Sequence, residues 1–221
     1  MAVNFVRRKY AMRRYALEHD IEIPKGFYAP TDGFGEPAKE LLRRIQRHAG
    51  IRVTGTWTAA TQELLFPTPM RLKALAFAKA DIGLNESPPN SNRIKYTEWW
   101  GWGPCAYCVI ACSYWYKKAG SRAVVKGSRW ANTDNLLHDA RMRRNGVRLV
   151  TDPKPGDIFV IDFEGHVDPD HAGLVEKVGS STVQTIEGNT LAGAGGNQAE
   201  GGGVYRRTRP RYNCWFIRLE K

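Results

Sequence analysis

The apolar pattern of this chain changes period near residue 154, and that change limits the folds open to it. Upstream, apolar residues recur at helical spacing. Val6, Tyr10, Met12, Tyr15 and Ala16 mark 4–19, Leu-Leu pairs mark 39–48 and 59–66, alanines fill 72–80, and 106–118 runs unbroken until Gly120. The basic stretch 127–148, with Leu136, Leu137 and Met142, is expected to be helical in part. Downstream of the turn Lys154-Pro155-Gly156-Asp157 the runs are short. Ile158-Phe159-Val160-Ile161 reads as a buried strand, and 174–178 and 182–186 flank Gly179-Ser180-Ser181 as a hairpin. After the glycine-rich 193–203, Val204-Tyr205-Arg206-Arg207 and Trp215-Phe216-Ile217-Arg218 are expected to complete the sheet. Helices first and antiparallel strands second is an α+β order.

Phe66-Pro67-Thr68-Pro69 is a stiff connector that predicts a boundary between 1–68 and 69–221. The first part carries an internal echo. Asp32-Gly33-Phe34-Gly35 leads to Glu40-Leu41-Leu42, and Thr54-Gly55-Thr56-Trp57 leads to Glu63-Leu64-Leu65, so a small three-helix module is expected. Its phrases Ile45-Gln46-Arg47-His48-Ala49-Gly50-Ile51 and Val53-Thr54-Gly55-Thr56-Trp57-Thr58-Ala59-Ala60-Thr61 resemble the peptidoglycan-binding module of cell-wall hydrolases, with Thr54 where that family usually has Asp. The resemblance implies wall binding and makes Trp57 a candidate ligand contact. A basic helical bundle without wall affinity is the alternative, in which Arg7-Arg8-Lys9 is a solvated face. His19 and His48 read as surface residues.

Charge narrows the partner. The 221 residues hold 33 Lys and Arg against 22 Asp and Glu, a net +11, which favours a polyanion: nucleic acid, anionic lipid or a phosphate-bearing wall polymer. The opening residues lack the apolar core of a signal peptide and no run reaches the length of a membrane span. The expectation is a monomer made as a soluble cytoplasmic product, or released by a route that does not use a cleaved signal. The resemblance to wall hydrolases implies that it stays in the cytoplasm until it reaches the wall at lysis. Three of the four cysteines fall on one helical stretch, a spacing that does not suit disulfides, so reduced thiols are expected.

Those cysteines lie in Gly103-Pro104-Cys105-Ala106-Tyr107-Cys108-Val109-Ile110-Ala111-Cys112. With glycine and proline breaking structure before it, Cys105 is expected at a helix N-terminus, where the macrodipole favours thiolate, and is the candidate nucleophile. Cys108 and Cys112 share its face with Val109, Ala111 and Trp115 and read as core. A metal reading of the three thiols has a spacing that fits no zinc motif. Trp99, Trp100 and Trp102, just upstream, are either core or the walls of a cleft. Cys214 reads as a buried strand residue.

A general base follows from hairpin parity. If the loop is the odd Gly179-Ser180-Ser181, 178 faces 182, 173 faces 187 and 171 faces 189, which puts His171, Glu187 and Asn189 on one face; an even loop would split them. Cysteine catalysis needs a His near the sulfur and a carboxylate or amide to orient it. His166, in a loop-like segment, is the weaker rival, and His138 lacks a strand context.

Pro104-Cys105-Ala106-Tyr107-Cys108-Val109, Pro155-Gly156-Asp157-Ile158, Asp170-His171-Ala172-Gly173-Leu174-Val175 and Ile186-Glu187-Gly188-Asn189-Thr190 together resemble the CHAP family of cysteine, histidine-dependent amidohydrolases/peptidases. The likeness covers 70–221. It implies a papain-like fold that cleaves amide bonds of peptidoglycan, as an endolysin-type amidase or endopeptidase, with Cys105 as nucleophile, His171 as base, Glu187 as orienting acid and Asn189 as auxiliary polar residue. Pro104 stands where a Trp is common, and Cys108 stands where a Phe is usual. No cofactor is expected. Some relatives bind calcium through an acidic loop, and here that region offers Glu86 and Glu98 without an Asp cluster. The competing readings are a basic nucleic-acid-binding protein, which lacks a recognisable motif, and a protein-directed thiol protease on the same scaffold.

Overall fold

The computed structural model describes residues 2–28, 34–163, 165, 169–192 and 201–220, with side chains from residue 5 onward. The expected turn at Asp32-Gly33, the rival His166 and most of the glycine-rich segment (193–200) lie outside these residues. The chain forms two compact units, Met1–Thr68 and Pro69–Lys221.

The first unit holds α1 (Ala2–Glu18), α2 (Glu36–His48) and α3 (Ala59–Leu65) around a core of Met12, Ala16, Phe27, Leu41, Leu42, Ile45 and Leu65. Its glycine turn is built on one buried amide. Gln46 Oε1 accepts the N–H groups of Thr54 (2.8 Å) and Gly55 (3.0 Å), while its Nε2 donates to the Thr56 carbonyl (3.0 Å) and Thr61 Oγ1 (3.0 Å). Gly55 takes φ +66°, and a Cβ there would stand 2.7 Å from Arg43 Nε, so glycine is required. Thr58 then caps α3 by accepting the Thr61 N–H (3.2 Å).

The second unit has α4 (Met70–Ala80), α5 (Lys95–Trp100), α6 (Cys108–Lys118), α7 (Thr133–Arg141) and an antiparallel six-stranded sheet. Its strands are β1 (Val147–Val150), β2 (Ile158–Ile161), β3 (His171–Val178), β4 (Thr182–Thr190), β5 (Gly203–Pro210) and β6 (Cys214–Leu219), in the order β1-β6-β2-β3-β4-β5. The α+β arrangement, helices before an antiparallel sheet, is as expected. Two elements were not foreseen. Lys95–Trp100 is a helix, and Val147–Val150, inside the stretch expected to be partly helical, is an edge strand paired to β6.

Alternation sorts the sheet into two faces. Ile158, Val160, Ala172, Leu174, Ile186 and Ile217 join the main core with the helices, and Phe159, Ile161, Val175, Val183 and Phe216 form a second cluster. Helix α6 is the buried spine of the main core. Asp81 fixes it by accepting from Trp115 Nε1 (2.8 Å) and Tyr96 Oη (2.7 Å), and Tyr116 Oη donates to the Gly156 carbonyl (2.6 Å) at the turn into β2.

The β3–β4 hairpin differs from the expected one in a way that cancels. Val178 pairs Val183, so the turn is 179–182 and even, but Glu176 is an extra residue on β3 and the register returns at Val175↔Thr185 and Leu174↔Ile186. The bulge is held by Arg206 Nε (2.8 Å) and Lys79 Nζ (3.2 Å) on the Glu176 carboxylate. Beyond it the pairing has the parity that an odd turn would have produced.

Candidate active site

His171 begins β3 and Glu187 lies on β4, both side chains fully buried, with Nε2 of the imidazole 3.1 Å from Glu187 Oε2. Gly173 makes the room, since a Cβ there would fall 2.8 Å from Glu187 Cγ. The carboxylate is saturated from the same face. Thr185 Oγ1 donates to Oε1 (2.5 Å), and Arg209 reaches diagonally from β5 with Nε to Oε1 (2.9 Å) and Nη2 to Oε2 (2.5 Å). Burial opposes the charge on Glu187, yet His171 and Arg209 together hold its pKa at about 2. The carboxylate is therefore a fixed negative charge facing the ring.

The thiol at this histidine belongs to Cys108. The helix expected to run from Ala106, with Cys105 at its N-terminus, begins later, at Cys108. Gly101 and Gly103 take φ +91° and +88°, Tyr107 at φ −128° is the N-cap, and Cys108 is the first helical residue. Cys108 interacts with His171 by hydrogen bonding and charge. Since Nε2 is committed to Glu187, Nδ1 is the nitrogen left for the thiol, and it makes no full hydrogen bond among the described residues. Burial pulls the His171 pKa down, but Cys108 and Glu187 outweigh it and raise it to about 9.

Cys105 is displaced from the role expected of it. It precedes the helix by three residues, packs half-buried against the main core, and burial pushes its thiol pKa up, opposite to what activation requires. The overlooked signal is Tyr107. Counted from Cys108, the aromatic position before the cysteine is filled by Tyr107, and the departure at Pro104 disappears. Cys112 is core as read, with its pKa raised by burial, while Cys214 is only half-buried.

The other candidates separate. Asn189, at φ +61° in a β4 bulge, is buried and lines a cavity with Ala106; the partners on Glu187 are instead Thr185 and Arg209. Trp100 is core, 1% exposed, and Trp99 packs on it and on Tyr114. Trp102 is 60% exposed with Nε1 donating to the Gly127 carbonyl (3.0 Å). Trp57 sits in the first unit, under Arg8 and donating to Gln62 Oε1 (2.9 Å). Glu86 and Glu98 line different cavities, and no cluster of three His, Cys, Asp or Glu among the described residues is placed to hold a metal ion. No helix among them is long and apolar enough to cross a membrane.

Residues 95–189 match the family described as the CHAP domain. The chain carries a CHAP domain. The matched segment runs from the start of α5 to Asn189 and contains Cys108, His171 and Glu187, so the buried constellation lies within a cysteine-hydrolase core. Arg209 falls outside the matched segment although it touches Glu187 inside it. A comparison with curated proteins found no match.

Proposed function

We propose that this protein hydrolyses amide bonds of bacterial peptidoglycan through its CHAP domain, with Cys108 as nucleophile, His171 as general base and acid, and Glu187 as the residue that orients His171. The observation that carries the reading is the imidazole held at Nε2 by a buried carboxylate, with a helix-start thiol left for Nδ1.

The Cys108 proton passes to His171 Nδ1, and the thiolate attacks the amide carbonyl carbon. The Cys108 backbone N–H, in the first turn of α6 where N–H groups have no partner within the helix, is the donor assigned to the oxyanion. The imidazolium returns its proton to the leaving nitrogen as the C–N bond breaks, releasing the amine and leaving a thioester. Water, deprotonated by His171, then cleaves the thioester to the acid and restores the thiol. Glu187 stays ionised throughout, because Arg209 offsets its charge at both oxygens and Thr185 donates to Oε1.

The first unit is proposed to tether the enzyme to the wall, supported by the Gln46-anchored turn that carries its resemblance and by the overall charge of +11, suited to an anionic polymer. The endolysin reading, with action after release to the wall, belongs to the same proposal. The test is clearing of purified Gram-positive walls by the wild type and by Cys108→Ala, with mass spectrometry of the fragments. Clearing by the wild type alone, with new amine and carboxyl ends, is expected, and equal clearing by both would sink the assignment.

A further inference from the structure

A polar cavity of about 320 Å³ opens beside the start of α6, walled by Glu86, Asn90, Asn92, Asn189 and the Gly201-Gly202 backbone. Ala106, two residues before Cys108, completes it, and Asn189 follows Glu187 by two, so the cavity is bounded by both segments that carry the reactive groups. We propose that it binds a protonated primary amine of the peptide being cleaved. The proposal rests on the hydrolase reading above and specifies which part of the substrate that site grips.

Glu86 is the reason. Its side chain is 6% exposed, its backbone N–H donates to the Gly202 carbonyl (2.8 Å), and its Oε2 accepts the Asn92 N–H (2.9 Å). Among the described residues no basic side chain pairs with this carboxylate. Beside it stands the buried Tyr107 hydroxyl, which interacts with the Glu86 carboxylate itself and with the Asn189 backbone but brings no positive charge. A buried carboxylate with no cation is costly, and an entering ammonium supplies the missing charge. Its three N–H donors match the carboxylate, the amide oxygens of Asn90 and Asn92 and the phenol oxygen. Asn90 and Asn92, both at positive φ, turn the 87–93 loop around the opening. Wall peptides present such an amine either on a diamino-acid side chain or as a free α-amine, and acetylation separates the two sources.

The experiment measures binding calorimetrically with full-length Cys108→Ala, so that turnover does not interfere. The probes are a lysine-containing stem pentapeptide with both amines free, its Nε-acetyl form and its Nα-acetyl form. Acetylation of one amine is expected to weaken binding about tenfold, the size of one charged hydrogen-bonded contact, while acetylation of the other has little effect. Glu86→Gln is expected to abolish that contrast, and Asn90→Asp, which adds charge at the rim, to tighten the amine-bearing probe. Equal binding of all three probes, binding of none, or an equal loss on all three in Glu86→Gln would overturn the proposal. So would Glu86-dependent binding of calcium alone. Should Glu86→Gln fail to fold by circular dichroism, absence of tightening in Asn90→Asp overturns it instead. Wall clearing by the wild type is scored separately. If clearing depends on Cys108 but the amine contrast is absent, only this inference falls, and if no wall is cleared, the hydrolase reading falls.

Discussion

Gly188 faces Ala111 so closely that a Cβ on the glycine would stand 2.9 Å from the Ala111 Cβ and 3.4 Å from Tyr107 Cε2. This approach seats β4 on the first turns of α6, and it explains why both positions are small. Gly188→Ala is expected to cost about 1–3 kcal/mol, the usual penalty for overpacking. Hydrolysis should fall as well, because Glu187 is the neighbouring residue. Urea unfolding checks the first effect, and a midpoint unchanged from wild type would contradict the packing account.

The two thiols before and at the helix start make opposite predictions. Cys108→Ala should lose more than about 10⁴-fold in turnover, the scale seen when a nucleophile is removed. Cys105→Ala should retain most of its activity. Alkylation with iodoacetamide at neutral pH, mapped by peptide mass, is expected to label Cys108 ahead of Cys105, whose thiol is pushed up by burial. Preferential labelling of Cys105 would return the nucleophile to the loop.

His171 sets the pH dependence. Burial lowers its pKa, but Cys108 and Glu187 raise it from 6.5 to about 9. The stability this confers is complete below 6.5 and lost as pH rises through 9. Activity that needs the imidazolium should therefore decline on an alkaline limb near pH 9, and Glu187→Gln should move that limb to lower pH. A profile of kcat/KM against pH measures it, and an alkaline limb indifferent to Glu187 would refute the coupling.

Arg209 is the cation that offsets the charge of Glu187, contacting both of its oxygens. Arg209→Ala leaves a buried carboxylate short of a partner and is expected to destabilise the domain by about 3–5 kcal/mol. Arg209→Lys keeps charge but not the two-pronged contact, and should recover only part of the loss. Thermal melts of the three proteins decide the order, and an Arg209→Ala melt equal to wild type would disprove the role.

The α+β order was readable because helical and alternating periods occupy separate halves of the chain. The His171–Glu187 pairing was also readable on the condition of an odd turn, and the protein reaches the same parity with an even turn and a bulge at Glu176. Cys108 was misread because a C-x2-C run on one apolar stripe looks the same whichever cysteine starts the helix. The choice is made by Tyr107, whose ring is buried against Tyr96 at 5.9 Å between centroids. Arg209 carried no local signal at all. Its contact is a diagonal across two strands, 22 residues from Glu187, and the intervening segment does not repeat the pattern. Helix α5 was hidden by its aromatics, which read equally as core or as cleft walls and show no helical period over six residues.

The extra residue at Glu176 makes the β3–β4 hairpin a phase device. One surplus position at the bulge and one at the turn sum to two, a whole period of the pleat, and the imidazole and carboxylate at the far end stay in step. The active site therefore depends on a sum of lengths rather than on either length. A one-residue slip of the β3–β4 register beyond the bulge would turn His171 and Glu187 to opposite sides of the sheet.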